Sequence, residues 1–163
     1  MKTIRFPLFL FAVIAALASC GAPSASLLKE NHRSIHVAVF KNETQEFSLE
    51  ERLTRAMISA FQRDGRLHIA PASRADLDMR GVIKSAEVST LSYTDLDRAI
   101  GYRMDIIVEV DVKDAATEEF LLENRLFHST GTYLLSSELS NATSADVTAA
   151  LSEQVLSALI EGW

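Results

Sequence analysis

The segment most informative about the fold is Tyr-Arg-Met-Asp-Ile-Ile-Val-Glu-Val-Asp-Val, residues 102–112. Apolar side chains recur at every second position from Met104 to Val112, and acidic side chains fill most of the positions between them. A period of two is that of a β-strand with one face buried and the other in water. Such strands are typical of antiparallel sheets that pack on one side only.

Similar strands are predicted on either side of this one. Alternation predicts one strand over about 77–91 and another over about 119–130. In the second of these, Phe120, Leu122 and Leu126 are predicted to share the buried face. We therefore expect a three-stranded antiparallel meander, with a long charged first connection and a short, hairpin-like second one.

Two further strands are predicted upstream of the meander. Ile35, Val37 and Val39 alternate with His36 and Ala38, which predicts a strand at the start of the domain. A short strand, which carries a leucine at position 67 and an isoleucine at position 69, is predicted just before the meander.

A helix is predicted between these two strands, after a polar turn of sequence Lys-Asn-Glu-Thr at residues 41–44. Ser48 and Glu51 have the Ser-x-x-Glu spacing of a capping box, in which each side chain bonds the other residue's free backbone N–H. Gly65 suits the left-handed position that follows the last turn. The apolar residues recur every three or four positions and form one stripe: Leu49, Leu53, Ala56, Met57, Ala60 and Phe61.

A second helix is predicted over residues 144–161, with no helix breaker before Gly162. Its apolar stripe consists of Val147, Leu151, Val155 and Leu159, with Ala150 and Ala158 beside them. Each helix thus has one apolar stripe to bury, and the sheet has one apolar face. The predicted fold is α+β: a two-layer sandwich with two helices packed on one face of a mostly antiparallel sheet.

The first twenty residues have the pattern of an export signal. Lys2 and Arg5 precede an uncharged apolar run, which is too short to cross a bilayer as a helix. Leu17-Ala-Ser-Cys20 follows, and Cys20 is the only cysteine of the chain. A leucine three residues before a cysteine, with small residues between, resembles the bacterial lipobox, in which the thiol is alkylated with diacylglycerol. The alternative is a plain secretory signal that ends near a cysteine.

These observations predict three parts of the chain. We expect a signal peptide over 1–19, a flexible tether over 20–33 that bears a lipid on Cys20, and a single α+β domain over 34–163. Removal of the signal peptide changes the formal net charge from −6 to −8. An acidic chain is a poor general ligand for nucleic acid, because that affinity depends on neutralised phosphates. We therefore expect no nucleic-acid partner.

The sequence contains no motif that predicts catalysis or a cofactor. It has no glycine-rich phosphate loop followed by lysine and no Gly-x-Ser-x-Gly elbow. The histidines are dispersed and do not pair at helical spacing, so no metal site is predicted: His32, His36, His68 and His128. We expect a protein that is not an enzyme and that needs no cofactor.

Basic residues in and around the meander are the candidate ligand-binding positions. Antiparallel pairing is expected to bring Arg98 and Arg103 close together at one end of the sheet. Together with Lys84, they are candidates for binding the phosphates of a glycolipid through charge-assisted hydrogen bonds. The alternative is ordinary charge balance against neighbouring acidic residues. Arg80, Lys84 and Arg125 need not lie beside Arg98 and Arg103 in the folded sheet.

The order of these segments resembles a known family. The segments are Ile35-His-Val-Ala-Val-Phe-Lys-Asn-Glu-Thr44, Leu49-Glu-Glu-Arg-Leu-Thr-Arg-Ala56, Asp64-Gly-Arg-Leu67, Ala75-Asp-Leu-Asp-Met-Arg-Gly81 and Gly101-Tyr-Arg103, followed by an amphipathic helix that ends at Trp163. Behind a lipobox, this ordered set resembles the lipopolysaccharide-assembly lipoprotein family, LptE.

The resemblance implies an outer-membrane lipoprotein, anchored by a lipid on the periplasmic face. Members of the family plug the large β-barrel LptD, help it to assemble and bind lipopolysaccharide. The implied partners are therefore an LptD-type barrel, lipopolysaccharide and the membrane. No lipopolysaccharide-contacting residue of the family aligns here, so Lys84, Arg98 and Arg103 stay candidates by position alone.

A second resemblance leads to another class of function. The Val-Phe-Lys-Asn strand, followed by a helix and Asp-Gly-Arg-Leu, is also similar to envelope lipoproteins of the LpoB or CsgG type. That similarity implies regulation of a cell-wall synthase or assembly of a secretion pore. The long charged connection and the terminal helix favour the LptE family.

Overall fold

The structure is a computed structural model, and it describes residues 26–93, 99–134 and 139–162. The strands within these ranges are β1 (Ser34–Val37), β2 (Lys41–Asn42), β3 (His68–Ile69), β4 (Leu77–Tyr93), β5 (Ala99–Asp114) and β6 (Phe120–Leu134). The helices are α1 (Leu49–Asp64) and α2 (Leu139–Glu161).

The strands form one sheet in the order β3-β1-β4-β5-β6, with β2 paired to β4 beyond the end of β1. The β4–β5 and β5–β6 pairs are antiparallel, whereas β1 runs parallel to both β3 and β4. Helix α1 packs on the β1–β3 side, α2 packs on β5 and β6, and the two helices contact each other. The predicted α+β sandwich is confirmed.

The first strand is interrupted near Val39. Val37 pairs with Met79 and Lys41 with Val82, so four residues of the β1–β2 segment match three residues of β4. The extra residue shifts the phase of the alternation. Phe40 is therefore buried, and Val39 is 69% exposed. The prediction that Val39 continues the buried face is wrong.

Helix α1 ends as predicted but does not begin as predicted. The backbone of Gly65 is left-handed, with φ 77°, and its N–H donates to the carbonyl of Phe61 at 3.0 Å. Ser48 also has a left-handed backbone, and its side chain makes no capping hydrogen bond. Glu51 pairs with Arg55 at 3.4 Å, one turn further along the helix. The predicted capping box is wrong.

A bulge breaks the alternation of β4. Ile83 pairs with Val108 and Ser85 with Ile107, so Lys84 is an extra residue on β4. Because a bulge shifts the side-chain period by one, the residues that follow it change faces.

A second bulge accounts for a wrong prediction in β6. Val110 pairs with Arg125 and Val112 with Leu122, so two residues of β6 lie opposite Asp111 alone. One of these two, the asparagine at position 124, has a left-handed backbone with φ 48°. Beyond the bulge the faces are exchanged, and Leu126 is 59% exposed. The sequence predicts Phe120, Leu122 and Leu126 on one buried face. Phe120 is also 48% exposed, so only Leu122 of the three is buried.

Helix α2 starts at Leu139, five residues before the predicted start. The four residues of the predicted stripe are buried, and so are Ala158, Thr148 and Ser152. Ala150, which was predicted beside the stripe, is exposed. The hydroxyl of Ser152 donates to the carbonyl of Thr148 at 2.8 Å, which satisfies a polar group inside the core.

Candidate functional site

At one end of the sheet, strands β4, β5 and β6 extend well beyond the neighbouring strands β1 and β2. Strand β2 pairs with β4 only as far as Ile83, whereas β4 continues for ten more residues to Tyr93. Strands β5 and β6 continue beside it. Ten residues of strand correspond to about 33 Å. We call this three-stranded end of the sheet, beyond Ile83, the long end.

Arg103 is an exposed cation on the long end. It pairs across the sheet with Ser89 of β4 and Thr132 of β6, both of which are exposed. Its neighbour Met104 is buried, so Arg103 lies on the face opposite the helices. None of the carboxylates that the structure describes forms an ion pair with its guanidinium. The guanidinium of an exposed arginine is chemically suited to bind an anion such as a phosphate.

Lys84 already has a partner. Its Nζ lies 2.9 Å from Glu43 Oε2, and Lys41 Nζ lies 2.8 Å from the other oxygen of the same carboxylate. Hydrogen bonds and charge from these two lysines lower the pKa of Glu43 to about 2. The same contact raises the pKa of Lys84.

The three candidate basic residues do not form one cluster in the described part of the chain. Lys84 is five residues from Ser89, the cross-strand partner of Arg103, which is about 17 Å along a strand. Arg98 lies outside the described residues, in the connection between β4 and β5. Cys20 also lies outside them.

The other end of the sheet holds the start of the described chain. Lys29 Nζ lies 3.0 Å from Glu119 Oε2, in the β5–β6 turn. His32 Nε2 lies 3.0 Å from Asp114 Oδ2, at the end of β5. Both of these contacts fall within the segment expected to be a flexible tether. We call this the anchored end, because Lys29 and His32 tie the start of the described chain to the sheet here.

The hydrogen bonds of His32 identify its tautomer. The backbone N–H of Lys29 donates to Nδ1 at 3.1 Å, so that nitrogen carries no proton. Nε2 therefore carries the proton and donates it to Asp114. Asp114 also accepts the backbone N–H groups of Ala116 and Thr117 at 2.9 and 3.1 Å. These bonds, that of His32 first, hold the pKa of Asp114 well below its usual range.

Other histidines are paired in a similar way. His36 Nδ1 lies 2.7 Å from Asp78 Oδ1, and His128 Nε2 lies 3.2 Å from Asp105 Oδ1. Asp78 also accepts Arg80 Nε at 2.9 Å. Across the described ranges, no three His, Cys, Asp or Glu side chains come together as a set of metal ligands.

None of the helices in the described ranges is both long enough and apolar enough to cross a bilayer.

Two features of the structure were not predicted from the sequence. Residues 41–44 were predicted only to form a polar turn, whereas Asn42 makes four hydrogen bonds there. Phe47 was assigned no role, and it is 89% exposed. The one local signal was the Asn-x-Thr spacing of Asn42 and Thr44, which permits an Asx turn.

Solved structures show that this fold occurs in other proteins. CT253 from Chlamydia trachomatis is similar with a TM-score of 0.57 and 10% identity, over 81% of this chain and 97% of that one. PelC from Paraburkholderia phytofirmans, a dodecamer, is similar with a TM-score of 0.50 and 17% identity, over 86% and 93%. Lipoprotein B from Nitrosomonas europaea is similar with a TM-score of 0.50 and 15% identity, over 77% and 80%. At such identities the similarity concerns the fold alone.

The family of this chain is shown by a comparison of its sequence with family models and not by these structures. No curated protein sequence matches the chain. The model of the family described as "LptE: Lipopolysaccharide-assembly" matches residues 33–161, which is nearly the whole domain. This match confirms the resemblance seen in the sequence and links the chain, at the level of its family, to lipopolysaccharide assembly by a non-enzymatic, membrane-associated lipoprotein. The chain belongs to the LptE family.

Proposed function

We propose that this protein is an outer-membrane lipoprotein that occupies the lumen of an LptD-type β-barrel and helps it to assemble and to insert lipopolysaccharide at the cell surface. The observation that carries the proposal is the family match over residues 33–161. In this role the domain is not a catalyst: it fills a wide lumen and offers a binding surface there.

The dimensions of the sheet support this proposal. Asp114 marks the anchored end of β5, and Arg103 lies eleven residues away on the long end. Eleven residues of antiparallel strand span about 37 Å, which exceeds the roughly 30 Å hydrocarbon core of a bilayer. A domain held at its anchored end by a lipid on Cys20 in the inner leaflet would therefore place Arg103 at the level of the outer leaflet.

In this arrangement the long end meets lipopolysaccharide. Arg103 is exposed and has no carboxylate partner among the described residues. An arginine can bind a phosphate through two parallel hydrogen bonds. Arg98, in the connection next to it, would add a second cation. Lys84 contributes less, because Glu43 already occupies it.

The lipid anchor is tested by replacing its attachment residue. Cys20→Ala should move the protein from the membrane fraction to the soluble periplasmic fraction, and mass spectrometry of the wild-type amino terminus should show an acylated cysteine. An unmodified wild-type thiol would contradict the proposal.

The barrel partner is tested by purifying tagged protein from detergent extracts of the envelope. We expect a large β-barrel to be recovered in about equal amount, and depletion of the protein to increase permeability to bulky hydrophobic antibiotics. If the tagged protein instead recovers a cell-wall synthase and no barrel, the LpoB-like alternative replaces the proposal.

A further inference from the structure

Strand β6 is the last strand of the sheet and has one unpaired edge. It pairs with β5 on one side, and none of the described strands pairs with its other side. Every second residue of such a strand directs its backbone N–H and C=O away from the sheet, where they lack a backbone partner. At the opposite edge of the sheet, β3 is only two residues long.

The unpaired edge of β6 lacks the features that usually protect an edge strand. Natural edge strands are protected by short length, charged side chains, proline or bulges. Residues 126–134 contain no proline, lysine, arginine, aspartate or glutamate, and residues 125–134 pair with β5 without a register shift. The unpaired side of β4 at the long end carries Lys84 and Glu87, and its register shifts at Lys84 and near Ser92. Among the described strands, the edge of β6 is therefore the one suited to accept another strand.

A cleft of about 340 Å³ lies along this edge. It is lined by Gln154 and Ser157 of α2 and by four consecutive residues of β6, 125–128. Consecutive side chains of a strand point to opposite faces of the sheet, so a cleft that touches all four must lie at the edge of the strand. Helix α2, which packs on β6, forms the other wall. A strand added to β6 would direct the side chains of one face into this cleft.

Arg125 supplies an unpaired charge to the cleft. It is exposed, and none of the carboxylates that the structure describes forms an ion pair with it. The other charged groups near the cleft have partners: His128 lies 3.2 Å from Asp105, and Glu153 of α2 lies 2.6 Å from Arg63. A strand that carries an acidic side chain opposite Arg125 is therefore favoured.

The position of α2 determines which kind of strand fits. Paired strands lie about 4.8 Å apart, whereas packed helices need about 8–10 Å between their axes. In an antiparallel pair of two β6 strands, the α2 helices of both copies would lie on the same face of the joined sheet. Since α2 packs mainly on β6, a second copy leaves too little room for both helices. The strand that fits is a single extended segment without a helix behind it.

We propose that β6 accepts an extended segment of a protein partner as an additional strand, with backbone hydrogen bonds along residues 126–134, side chains in the cleft beside α2 and a carboxylate on Arg125. This inference rests on the proposed function, which makes the partner the LptD-type barrel. A closed barrel has no free strand edge, so the segment belongs to a part of the barrel chain outside its wall. Nine residues of strand give a contact about 30 Å long. In strand addition the backbone supplies affinity and the side-chain pockets supply specificity.

Cross-links with residue resolution test the strand pairing in cells. A photo-reactive phenylalanine replaces one of three exposed residues of β6 at a time: Leu126, His128 and Thr130. Because paired strands advance together, the three sites should cross-link to one segment of the barrel chain, at positions that shift by about two residues from each site to the next. Ser89, exposed on β4, is the matched control site and should give no cross-link to that segment.

A charge variant tests the contact in the cleft. Arg125→Glu should weaken the binding of the purified mature protein to the purified barrel by about five- to tenfold at low salt, because a like charge replaces an ion pair. Arg74→Glu is the matched control, since Arg74 is also exposed and also has no ion pair within the described ranges. It should change the affinity less than twofold. The thermal midpoints of both free variants should equal that of the wild type.

The outcomes separate this inference from the proposed function. Cross-links that scatter over several strands of the barrel wall, or that reach only a second copy or the same chain, would disprove strand addition. If the wild type recovers the barrel but none of the three sites cross-links to it, strand addition fails and the proposed function stands. Equal affinities of Arg125→Glu and the wild type would disprove the carboxylate contact. If the wild type recovers no barrel at all, the proposed function itself fails.

Discussion

The imidazole of His32 donates a hydrogen bond from Nε2 to Oδ2 of Asp114 at 3.0 Å, and both side chains are at least 96% buried. The two residues are 82 positions apart, so this bond ties the amino-terminal segment to the hairpin between β5 and β6. It holds the chain at the anchored end.

Loss of this bond should destabilise the domain. His32→Ala removes the hydrogen-bond donor of the buried Asp114 Oδ2 and leaves it only the Lys29 ammonium at 3.8 Å. We expect the free energy of unfolding to fall by about 1–3 kcal/mol. Urea unfolding, followed by circular dichroism, measures the change. His68→Ala is the matched control because His68 is exposed on β3, and it should change stability by less than about 0.5 kcal/mol. Equal effects of the two substitutions would show that the bond contributes nothing.

The same bond should make stability depend on pH in the acid range. The pKa of Asp114 is lowered in the folded protein, chiefly by the His32 bond, whereas in the unfolded chain it lies near 3.9. Below that unfolded pKa the unfolded chain takes up a proton that the folded protein does not bind. Stability is therefore fully present above about pH 4 and falls as the pH decreases towards the folded pKa.

Asp114→Asn removes this ionisation and should flatten the pH dependence. Unfolding midpoints measured between pH 5 and pH 3 should fall less for the variant than for the wild type. Parallel curves for the two proteins would mean that Asp114 does not contribute.

Gly81 should tolerate no side chain. A Cβ at this position would lie within 2.7 Å of three ring carbons of Phe40, which is buried. Gly81→Ala should cost about 1–3 kcal/mol through overpacking. Phe40→Leu in the same chain should recover part of that loss, which a double-mutant cycle detects as coupling. Ser89→Ala, at an exposed position of the same strand, is the control, and strict additivity of the first pair would argue against the close contact.

Substitutions of two adjacent residues of β6, Leu126 and Phe127, should lower the free energy of unfolding by very different amounts. The bulge at Asn124 leaves Leu126 59% exposed and buries Phe127 to 92%. Leu126→Ser should change the free energy of unfolding by less than about 0.5 kcal/mol. Phe127→Ala should cost about 3 kcal/mol because it opens a cavity in the core. A large loss from Leu126→Ser and a small loss from Phe127→Ala would place the bulge elsewhere.

Binding of lipopolysaccharide should depend on Arg103 and not on Lys84. Arg103→Glu removes an exposed cation and adds a negative charge, and we expect the affinity for purified lipopolysaccharide to fall several-fold at low salt. Arg98→Glu in the same chain should increase the loss. Lys84→Gln should leave the affinity within about twofold, because Glu43 holds that ammonium. An unchanged affinity of the double variant would exclude the long end as the binding surface.

Local patterns were sufficient to predict most of the elements. The alternation from Met104 to Val112 predicted a strand with one buried face, and the even-numbered residues of this run are all buried. Gly65 ended α1 in the left-handed conformation that its sequence context predicted. These predictions were correct because the period of a strand and the conformational freedom of glycine are local properties.

The errors occurred where distant residues decide the local geometry. Asn124, opposite Asp111, has a left-handed backbone, and its N–H donates to Asp111 Oδ1 at 2.6 Å. The resulting bulge exposes Leu126. Ser48 does not form the predicted N-cap, and it lies in the loop in which Asn42 donates a hydrogen bond to the Glu46 carbonyl. At neither residue does the neighbouring sequence alone show which backbone conformation has the lower free energy.

For the candidate site, the sequence was sufficient to show that Arg98 and Arg103 are close in the chain and to predict an α+β sandwich. The folded arrangement was needed to show that Lys84 is paired with Glu43, that His32 binds Asp114, and that Phe47 points into solvent. Periodicity reports which face of an element is buried, whereas ion pairs and the exposure of a loop side chain depend on which distant elements become neighbours.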